Sequence, residues 1–375
     1  MIKLLTVIGA RPQIIKAAAV SRAVKEHFSD VIKEKILHTG QHYDANMSQV
    51  FFDELGIPAP NYNLGVGSGS HGAQTARMIE GIEQVLCSEH FDGIILYGDT
   101  NSTLAGSVAA AKLHIPVFHI EAGLRSYNMA MPEEQNRIVC DHLSTILFAP
   151  TQTAVDNLAS EGLMSSGAIF QKGKGRQVIN SGDVMYDNAL FFSPLAEQKS
   201  HILQDCKVCA GAYILATIHR DFNTDNPTRI NSIFKALSTI ADNNDIPVVL
   251  PLHPRTRKHL PSELSSIIRI IPPASFFDIL TLEKNARIVM TDSGGVQKEA
   301  FFFERPCVIL RPETEWIEII DQKAGILADA DFNAIVNSYR DLYGKKIHFP
   351  PLFGDGHAAE KILSAIIDFL LKEKR

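Results

Sequence analysis

Short apolar runs alternate with longer amphipathic segments along the first 150 residues. The runs are rich in β-branched side chains, which is typical of buried strands. They cover Lys3 to Ile8, Glu34 to His38, Gly93 to Tyr97, Val117 to Ile120 and Thr145 to Phe148, and the helical segments cover Pro12 to His27, Met47 to Leu55, His71 to Glu89 and Ser102 to Leu113. Because helices usually connect parallel strands, this alternation predicts a doubly wound parallel sheet.

A second series of the same kind follows. Its predicted strands are Tyr213 to Thr217, Pro247 to Leu250, Ile268 to Ile271, Arg287 to Met290 and Cys307 to Leu310. Two such series predict an α/β protein with two Rossmann-like domains, which fits a length of 375 residues. The Gly-, Lys- and Ser-rich stretch from Ser165 to Gln177 is typical of a loop between them. We place the domains at residues 1–175 and 176–357, and a last helix at 358–375 that packs back on the first domain.

Charge and hydropathy exclude several classes of partner. Lys and Arg total 36 and Asp and Glu total 42, a net charge of −6 without long runs of either sign. This balance offers no footprint for nucleic acid or for an anionic membrane. No apolar run approaches the roughly 18 residues of a membrane span, and Met1 to Ala10 is typical of a first strand rather than of a signal peptide. We expect a cytoplasmic protein.

The cysteines and histidines do not indicate a metal site. Cys206 and Cys209 form a Cys-x-x-Cys pair, but no second pair or His-x-x-x-His completes a zinc set. We therefore expect reduced structural thiols, no metal and no cofactor.

The segment from Thr291 to Ala300 resembles a phosphate-binding turn. Ser293, Gly294 and Gly295 stand after an apolar run and before a helical pattern, where bare backbone N–H groups and the helix dipole favour an anion. Glu299 follows one turn later and can accept both hydroxyls of a ribose. These features suggest a nucleoside diphosphate ligand, although short Ser-Gly-Gly turns also cap helices without any ligand.

Cations and carboxylates follow the strands of the first domain. Arg11 and Lys16 come after the first strand and can face a diphosphate, while Asp99, Glu121 and Glu133 follow later strands. Each carboxylate also has a structural explanation: Asp99 can cap a helix, Glu133 can favour a helix dipole, and Glu121 can pair with a nearby arginine. Their clustering after strands favours chemistry.

Histidines occupy the same position in the second domain. His219 follows one predicted strand and His253 the next. A lone histidine is more often structural than catalytic, but His219 beside Arg220 is placed to hold or protonate a leaving phosphate.

Taken together, these motifs resemble those of the non-hydrolysing UDP-N-acetylglucosamine 2-epimerases. The resemblance spans nearly the whole chain and rests on Gly9-Ala10-Arg11-Pro12, Thr39-Gly40-Gln41-His42, Gly98-Asp99-Thr100, His119-Ile120-Glu121-Ala122-Gly123-Leu124-Arg125, Pro132-Glu133-Glu134-Gln135-Asn136-Arg137, Ile218-His219-Arg220 and Asp292-Ser293-Gly294-Gly295-Val296-Gln297-Lys298-Glu299. It implies the GT-B fold, with two Rossmann-like domains around a central cleft, a UDP-sugar substrate and a homodimer.

The resemblance also assigns roles. It implies that Ser293, Gly294, Gly295 and Glu299 hold the nucleotide, with Arg11 at the phosphates, and that the catalytic groups are Asp99, Glu121, Glu133 and His219. The implied reaction eliminates UDP across C1 and C2 to give a 2-acetamidoglucal, then returns UDP with protonation of C2 on the other face. Which carboxylate is the base stays open.

Departures from the family pattern leave the substrate open. Gln13 replaces a common glutamate, Tyr43 replaces an arginine near the site of an activating second UDP-sugar, and the segment from Arg311 to Trp316 resembles the branch that acts on UDP-2,3-diacetamido-2,3-dideoxyglucuronate. A uronate requires an additional cation near the sugar, for which the candidates are Arg125, Arg137 and Arg255. A GT-B glycosyltransferase and a catalytically inactive UDP-sugar sensor are the alternative classes.

Overall fold

The computed structural model describes residues 1–41, 54–164, 176–252, 257, 260–261 and 264–373. The chain divides into two compact units. The first comprises Met1–Asn188 and Pro351–Arg375, and the second comprises Ala189–Pro350. The helix predicted from Met47 to Leu55 lies mostly outside the described residues.

The first unit contains a seven-stranded parallel sheet with the order β3-β2-β1-β4-β5-β6-β7. The strands are β1 (Ile2–Ile8), β2 (Ile32–His38), β3 (Tyr62–Asn63), β4 (Gly93–Tyr97), β5 (Val117–Ile120), β6 (Ile146–Ala149) and β7 (Gln177–Asn180). Every residue of β4, β5 and β6 is buried. This burial explains why their sequences are continuous apolar runs rather than alternating ones.

Helices of the first unit connect these strands and follow them. They are α1 (Arg11–His27), α2 (His71–Ser88), α3 (Asn101–Lys112), α4 (Pro132–Leu143), α5 (Gln152–Ser160) and the C-terminal α14 (Ala358–Glu373), while α6 (Val184–Lys199) crosses the boundary between the units. The last helix contacts this unit, as its Phe369 ring packs edge-on against Phe118. The Asp187 carboxylate accepts the N–H groups of Ala358 and Ala359, where the helix dipole favours a negative charge.

The strand β7 extends the first unit beyond the boundary expected after residue 175. Ile146 to Ala149 pair with Gln177 to Asn180, so these residues complete the first sheet. The first unit then continues to Asn188 and resumes at Pro351.

The second unit contains a six-stranded parallel sheet with the order β10-β9-β8-β11-β12-β13. Its strands are β8 (Ile214–Thr217), β9 (Val248–Pro251), β10 (Ile268–Ile271), β11 (Ile288–Thr291), β12 (Cys307–Ile309) and β13 (Gly325–Leu327), and its helices are α7 (Ile202–Asp205), α8 (Asp221–Thr224), α9 (Pro227–Asn244), α10 (Phe276–Asn285), α11 (Gly294–Phe302), α12 (Ile317–Asp321) and α13 (Phe332–Leu342). The predicted doubly wound α/β architecture is confirmed in both units.

Both sheets reverse their strand order at a central pair of strands. The chain steps outward in opposite directions from β1 and β4 in the first unit, and from β8 and β11 in the second. In doubly wound sheets, ligands bind beyond the carboxyl ends of the strands at such a point. The loops that follow these four strands are therefore the places to look for a site. No helix in the described part of the chain is long and apolar enough to span a bilayer.

Candidate active site

An ion pair joins the first helix to the loop after β5. The Nζ of Lys16 lies 2.6 Å from Oε1 of Glu121, and both side chains are about one-tenth exposed. Glu121 has a φ of 69°, a left-handed conformation that is strained in a non-glycine residue. The sequence assigned Lys16 to a diphosphate, and the structure instead pairs it with a carboxylate. Arg125, whose pairing with Glu121 was one structural explanation for that carboxylate, pairs with Asp141 and Glu161.

The loop after β4 carries a second carboxylate–cation pair. The Asp99 carboxylate, about one-quarter exposed, contacts the guanidinium of Arg137 on α4. The Asn136 side chain donates to the Asp99 carbonyl at 2.9 Å, which fixes the main chain at the same point. Asp99 does not cap the following helix, because Thr100 does so through the N–H of Thr103. Arg137 is buried, so it holds the Asp99 carboxylate from the interior of the unit.

Adjacent glutamates in the first turn of α4 differ in environment. Glu134 is buried and accepts the N–H groups of Ser126 and Tyr127 and the guanidinium of Arg137. Glu133 is half-buried. Glu134 therefore holds the loop that precedes the helix, whereas Glu133 is the more accessible of the two. Sequence reasoning did not separate these roles.

Gln13 ties the loops after β1 and β4 together. Its Oε1 accepts the N–H groups of Gly9 and Ala10 at 2.9 and 3.2 Å, and its Nε2 donates to the Tyr97 carbonyl and the Thr103 hydroxyl, each at 3.0 Å. A glutamate has no N–H to donate and cannot make both sets of bonds when ionised. This amide gives the departure at Gln13 a structural reason.

Arg125 is buried within the first unit, away from solvent. Its guanidinium is 1% exposed, donates to both oxygens of Glu161 at 2.6 and 2.7 Å, and lies 2.7 Å from Asp141. The sequence proposed Arg125 as a cation for the substrate sugar. We drop this assignment because the group is enclosed and already paired with two carboxylates.

The second unit places His219 beside Asp292 at its own switch point. Asp292 is fully buried and accepts the N–H groups of His219 and Arg220, each at 3.1 Å, and the amide of Asn223 at 3.1 Å. Its Oδ1 lies 3.4 Å from Nδ1 of His219, whose side chain is 53% exposed. Asp292 thus fixes the turn after β8 and orients the imidazole, leaving the ring edge toward solvent.

The glycine turn after β11 has the geometry of an anion site. The Ser293 hydroxyl caps α11 by accepting the N–H of Val296 at 3.4 Å, and Gly294 and Gly295 form its first residues. The first N–H groups of a helix have no partner within it and can bind an anion. A Cβ on Gly295 would lie 4.0 Å from Oε2 of Glu299, so the structure brings the predicted ribose acceptor next to the turn.

The segment that departs from the family pattern packs behind this turn. Arg311 donates to both oxygens of Glu315 at 3.0 and 3.1 Å in a buried pair. Lys298 lies 4.8 Å from the ring centroid of Trp316. A Cβ on Gly294 would lie 3.5 Å from Glu315 and 3.8 Å from the Trp316 indole nitrogen. The sequence showed that this segment departs from the family pattern, but it did not predict that the segment packs against the glycine turn.

Arg11 and Arg255 are the remaining candidate cations. Arg11 is exposed at the first position of α1, at the carboxyl edge of the first sheet. Arg255, together with His253 and Tyr43, lies outside the described residues. Among the residues that are described, no three His, Cys, Asp or Glu side chains are grouped as metal ligands.

Comparisons with known proteins identify the family of this chain. The family model described as UDP-N-acetylglucosamine 2-epimerase matches residues 24–367. A Pseudomonas aeruginosa protein named UDP-2,3-diacetamido-2,3-dideoxy-D-glucuronate 2-epimerase is 48% identical over 362 residues, which are 96% of this chain and 98% of that protein. A UDP-N-acetylglucosamine 2-epimerase of Methanococcus maripaludis is 38% identical over 380 residues, covering 98% of each chain.

A solved structure extends the similarity to three dimensions. The Methanocaldococcus jannaschii UDP-GlcNAc 2-epimerase, crystallised with UDP-GlcNAc and UDP, matches with a TM-score of 0.86 and 38% identity over 97% of this chain and 99% of that one. This match confirms the GT-B class. With the family model matching from residue 24 to 367 and relatives aligned over nearly their full length, the chain belongs to the UDP-N-acetylglucosamine 2-epimerase family of isomerases.

Proposed function

We propose that this protein is a non-hydrolysing 2-epimerase of a UDP-linked 2-acetamido sugar. The observation that carries the proposal is the pair of carboxylate–cation contacts, Glu121 with Lys16 and Asp99 with Arg137, at the switch point of the first sheet. Each contact holds in place a carboxylate oxygen, the kind of group that can act as a general base. Glu133 is half-buried and precedes Arg137 by one turn of the same helix. It supplies a third acid–base group.

The reaction assigned to these groups is an elimination followed by readdition. One carboxylate takes the proton from C2, the electrons of that C–H bond form the C1=C2 double bond, and the bond from C1 to the diphosphate oxygen breaks. UDP then adds back to C1 while an acid protonates C2 from the opposite face, which inverts the configuration. The proton on C2 is very weakly acidic, so its direct removal would be slow. Elimination makes the removal easier because UDP departs as the electrons of the C–H bond form the double bond.

We assign nucleotide binding to the second unit. The N–H groups of Gly294 and Gly295 and the hydroxyl of Ser293 serve the diphosphate, Glu299 the ribose, and His219 the departing phosphate. Arg11, exposed at the sheet edge of the first unit, adds a cation for the phosphates. Lys16 leaves this group because its ammonium is committed to Glu121.

Between the two candidate substrates we favour UDP-2,3-diacetamido-2,3-dideoxyglucuronate. The relative named for that substrate is 48% identical, against 43% for a relative named UDP-N-acetylglucosamine 2-epimerase homolog and 38% for one named UDP-N-acetylglucosamine 2-epimerase. UDP-N-acetylglucosamine is the second candidate, since a structure that matches over nearly the whole chain contains it. The cation for a C6 carboxylate is left to Arg255, because Arg125 and Arg137 are each buried and already paired with two carboxylates.

The test is proton exchange at C2 in heavy water with the protein and one UDP-sugar at a time. We expect NMR to show deuterium at C2 and the 2-epimer, and faster conversion of the diacetamido-uronate. A glycosyltransferase would exchange nothing without an acceptor, and a sensor would bind UDP without exchange. Absence of C2 exchange with both UDP-sugars would refute the proposal, while efficient turnover of UDP-N-acetylglucosamine alone would exclude the uronate.

We propose further that the enzyme works as a cytoplasmic homodimer in the biosynthesis of polysaccharide or lipopolysaccharide. Family resemblance is the support for each of these properties. Light scattering on the purified protein tests the dimer, and the sugar composition of surface glycans after deletion of the gene tests the pathway.

A further inference from the structure

A buried histidine connects the two loops that carry Asp99 and Glu121. His119 lies on β5 and is 0% exposed. Its Nδ1 is 2.7 Å from Oδ1 of Asp141, and its Nε2 is 2.8 Å from the carbonyl oxygen of Gly98. A carboxylate and a carbonyl can only accept, so each ring nitrogen has to donate. The geometry therefore requires a doubly protonated, positively charged imidazole.

The second oxygen of Asp141 reaches the other loop. It accepts the N–H of Gly123 at 3.1 Å and lies 2.7 Å from Nη1 of Arg125. Gly98 and Gly123 have φ values of 61° and 81°, so both loops turn sharply at the glycine that the network holds. The Asp141 carboxylate on α4 thus binds the loop after β5 directly, and it holds the loop after β4 through His119.

Gly98 supports the Lys16–Glu121 ion pair. A Cβ on Gly98 would lie 3.1 Å from Nζ of Lys16 and 3.5 Å from Oε1 of Glu121. The Gly98 N–H donates to the Ile120 carbonyl at 3.0 Å, so this residue is anchored to β5 through both its N–H and its C=O. A shift of the Gly98 carbonyl would move the next residue, Asp99, relative to Glu121.

We propose that His119 and Asp141 are positioning residues that set the spacing between Asp99 and the Lys16–Glu121 pair. The imidazolium holds the Gly98 carbonyl, and the Asp141 carboxylate holds both the imidazolium and the Gly123 amide. This inference rests on the proposed function, since it assigns the spacing to an acid–base reaction. Neither residue touches substrate in this assignment.

The charges around His119 are consistent with a permanent imidazolium. Burial alone would lower the pKa of His119, but Cys140 and Asp141 favour the charged ring and hold its pKa well above the usual value. Burial alone would raise the pKa of Asp141, but His119 and Arg125 outweigh it and lower that pKa. Two further charged groups lie near the cluster: Glu161, which pairs with Arg125, and the buried Arg176, whose positive charge interacts with Asp141.

The kinetic test compares His119→Phe and His119→Gln with a matched control. His119→Phe leaves the Gly98 carbonyl without its donor, and we expect kcat for C2 exchange to fall at least about a hundredfold while KM and UDP affinity stay within about twofold. His119→Gln retains one amide donor and should recover about tenfold of that loss. The control is Arg176→Met, which removes a buried cation that also interacts with the Asp141 charge but donates to the carbonyls of His142 and Ser144 and to neither of the two loops.

A purely structural role makes the opposite prediction. It requires His119→Phe and Arg176→Met to lose kcat in proportion to their loss of thermal stability, and this result would overturn the proposal, as would a kcat within twofold of wild type in folded His119→Phe. If His119→Phe does not fold, His119→Gln and Asp141→Asn carry the same comparison against Arg176→Met.

A second measurement does not depend on turnover. In ¹⁵N-histidine NMR of the wild-type protein at pH 7 to 8, His119 should show two protonated ring nitrogens. A neutral His119 would overturn the positioning proposal whatever the protein catalyses. If the wild-type protein exchanges no C2 proton of either UDP-sugar, the proposed function fails, and the NMR result still decides the state of His119.

Discussion

The Lys16–Glu121 pair provides a quantitative test of the site through a double-mutant cycle. The two side chains are 10% and 9% exposed, and their charged atoms are 2.6 Å apart. Lys16→Met keeps most of the volume but leaves the Glu121 carboxylate buried without its cation. Removing one partner of a buried pair costs about 3–5 kcal/mol, and the slight exposure here favours the lower end, about 3 kcal/mol.

The reverse change leaves a buried ammonium instead. Glu121→Gln retains an oxygen that accepts from Lys16, so we expect a smaller loss of about 2 kcal/mol. The double variant has no unpaired charge, and its loss should fall below the sum of the single losses by about 2 kcal/mol. Urea unfolding of the four proteins measures this coupling directly.

Turnover should not follow stability through the cycle. Each variant lacks either the Glu121 charge or the cation that orients it, so we expect C2 exchange to fall about a hundredfold or more in all three. Coupling below about 0.5 kcal/mol would show that the pair is not energetically linked. Recovery of turnover in the double variant would refute the acid–base role of Glu121.

Further variants test the rest of the site. Asp99→Asn and Glu133→Gln should each reduce turnover about a hundredfold while calorimetry shows UDP affinity largely unchanged, and near-normal rates in both would contradict the assignment. Glu299→Ala should weaken UDP binding by about 1.5–3 kcal/mol, as followed by the fluorescence of Trp316, the single tryptophan, which packs near the glycine turn; an unchanged affinity would place the nucleotide elsewhere. Burial lowers the pKa of His38 to about 4, so the folded state resists its protonation and stability should fall as the pH drops from about 6.5 through 4, by about 3 kcal/mol in total. His38→Gln should lose less stability over that range in urea titrations, and an equal loss would rule His38 out as the cause.

The sequence predicted the central strands and the edge strand β10, and it missed the edge strands β3, β7 and β13. β4, β5 and β6 are buried along their whole length, and continuous apolar runs mark them. β3, β7 and β13 have two to four residues each and include partly exposed side chains. Short strands that are open on one side need few apolar residues, so no run indicates them.

The sequence predicted candidate residues after the strands, but not which side chains meet. Asp99, Glu121 and Glu133 were proposed because parallel strands bring the residues after them to one edge of the sheet. Lys16 and Glu121 are separated by 105 positions, and their contact depends on how α1 lies over the sheet. The roles of His119, Asp141 and Glu134 depend on burial and on specific partners. No local sequence pattern indicates the burial of these residues or their specific partners.

The split first unit has a consequence for how the chain is made. Ala358 to Glu373 pack on a unit whose other residues, 1 to 188, leave the ribosome long before them. The second unit is contiguous and lacks nothing when the last helix is absent, whereas the first then has the Phe118 ring and the Asp187 carboxylate uncovered. A released chain that is truncated before residue 351 should therefore expose its first unit, rather than its second unit, to chaperones and proteases.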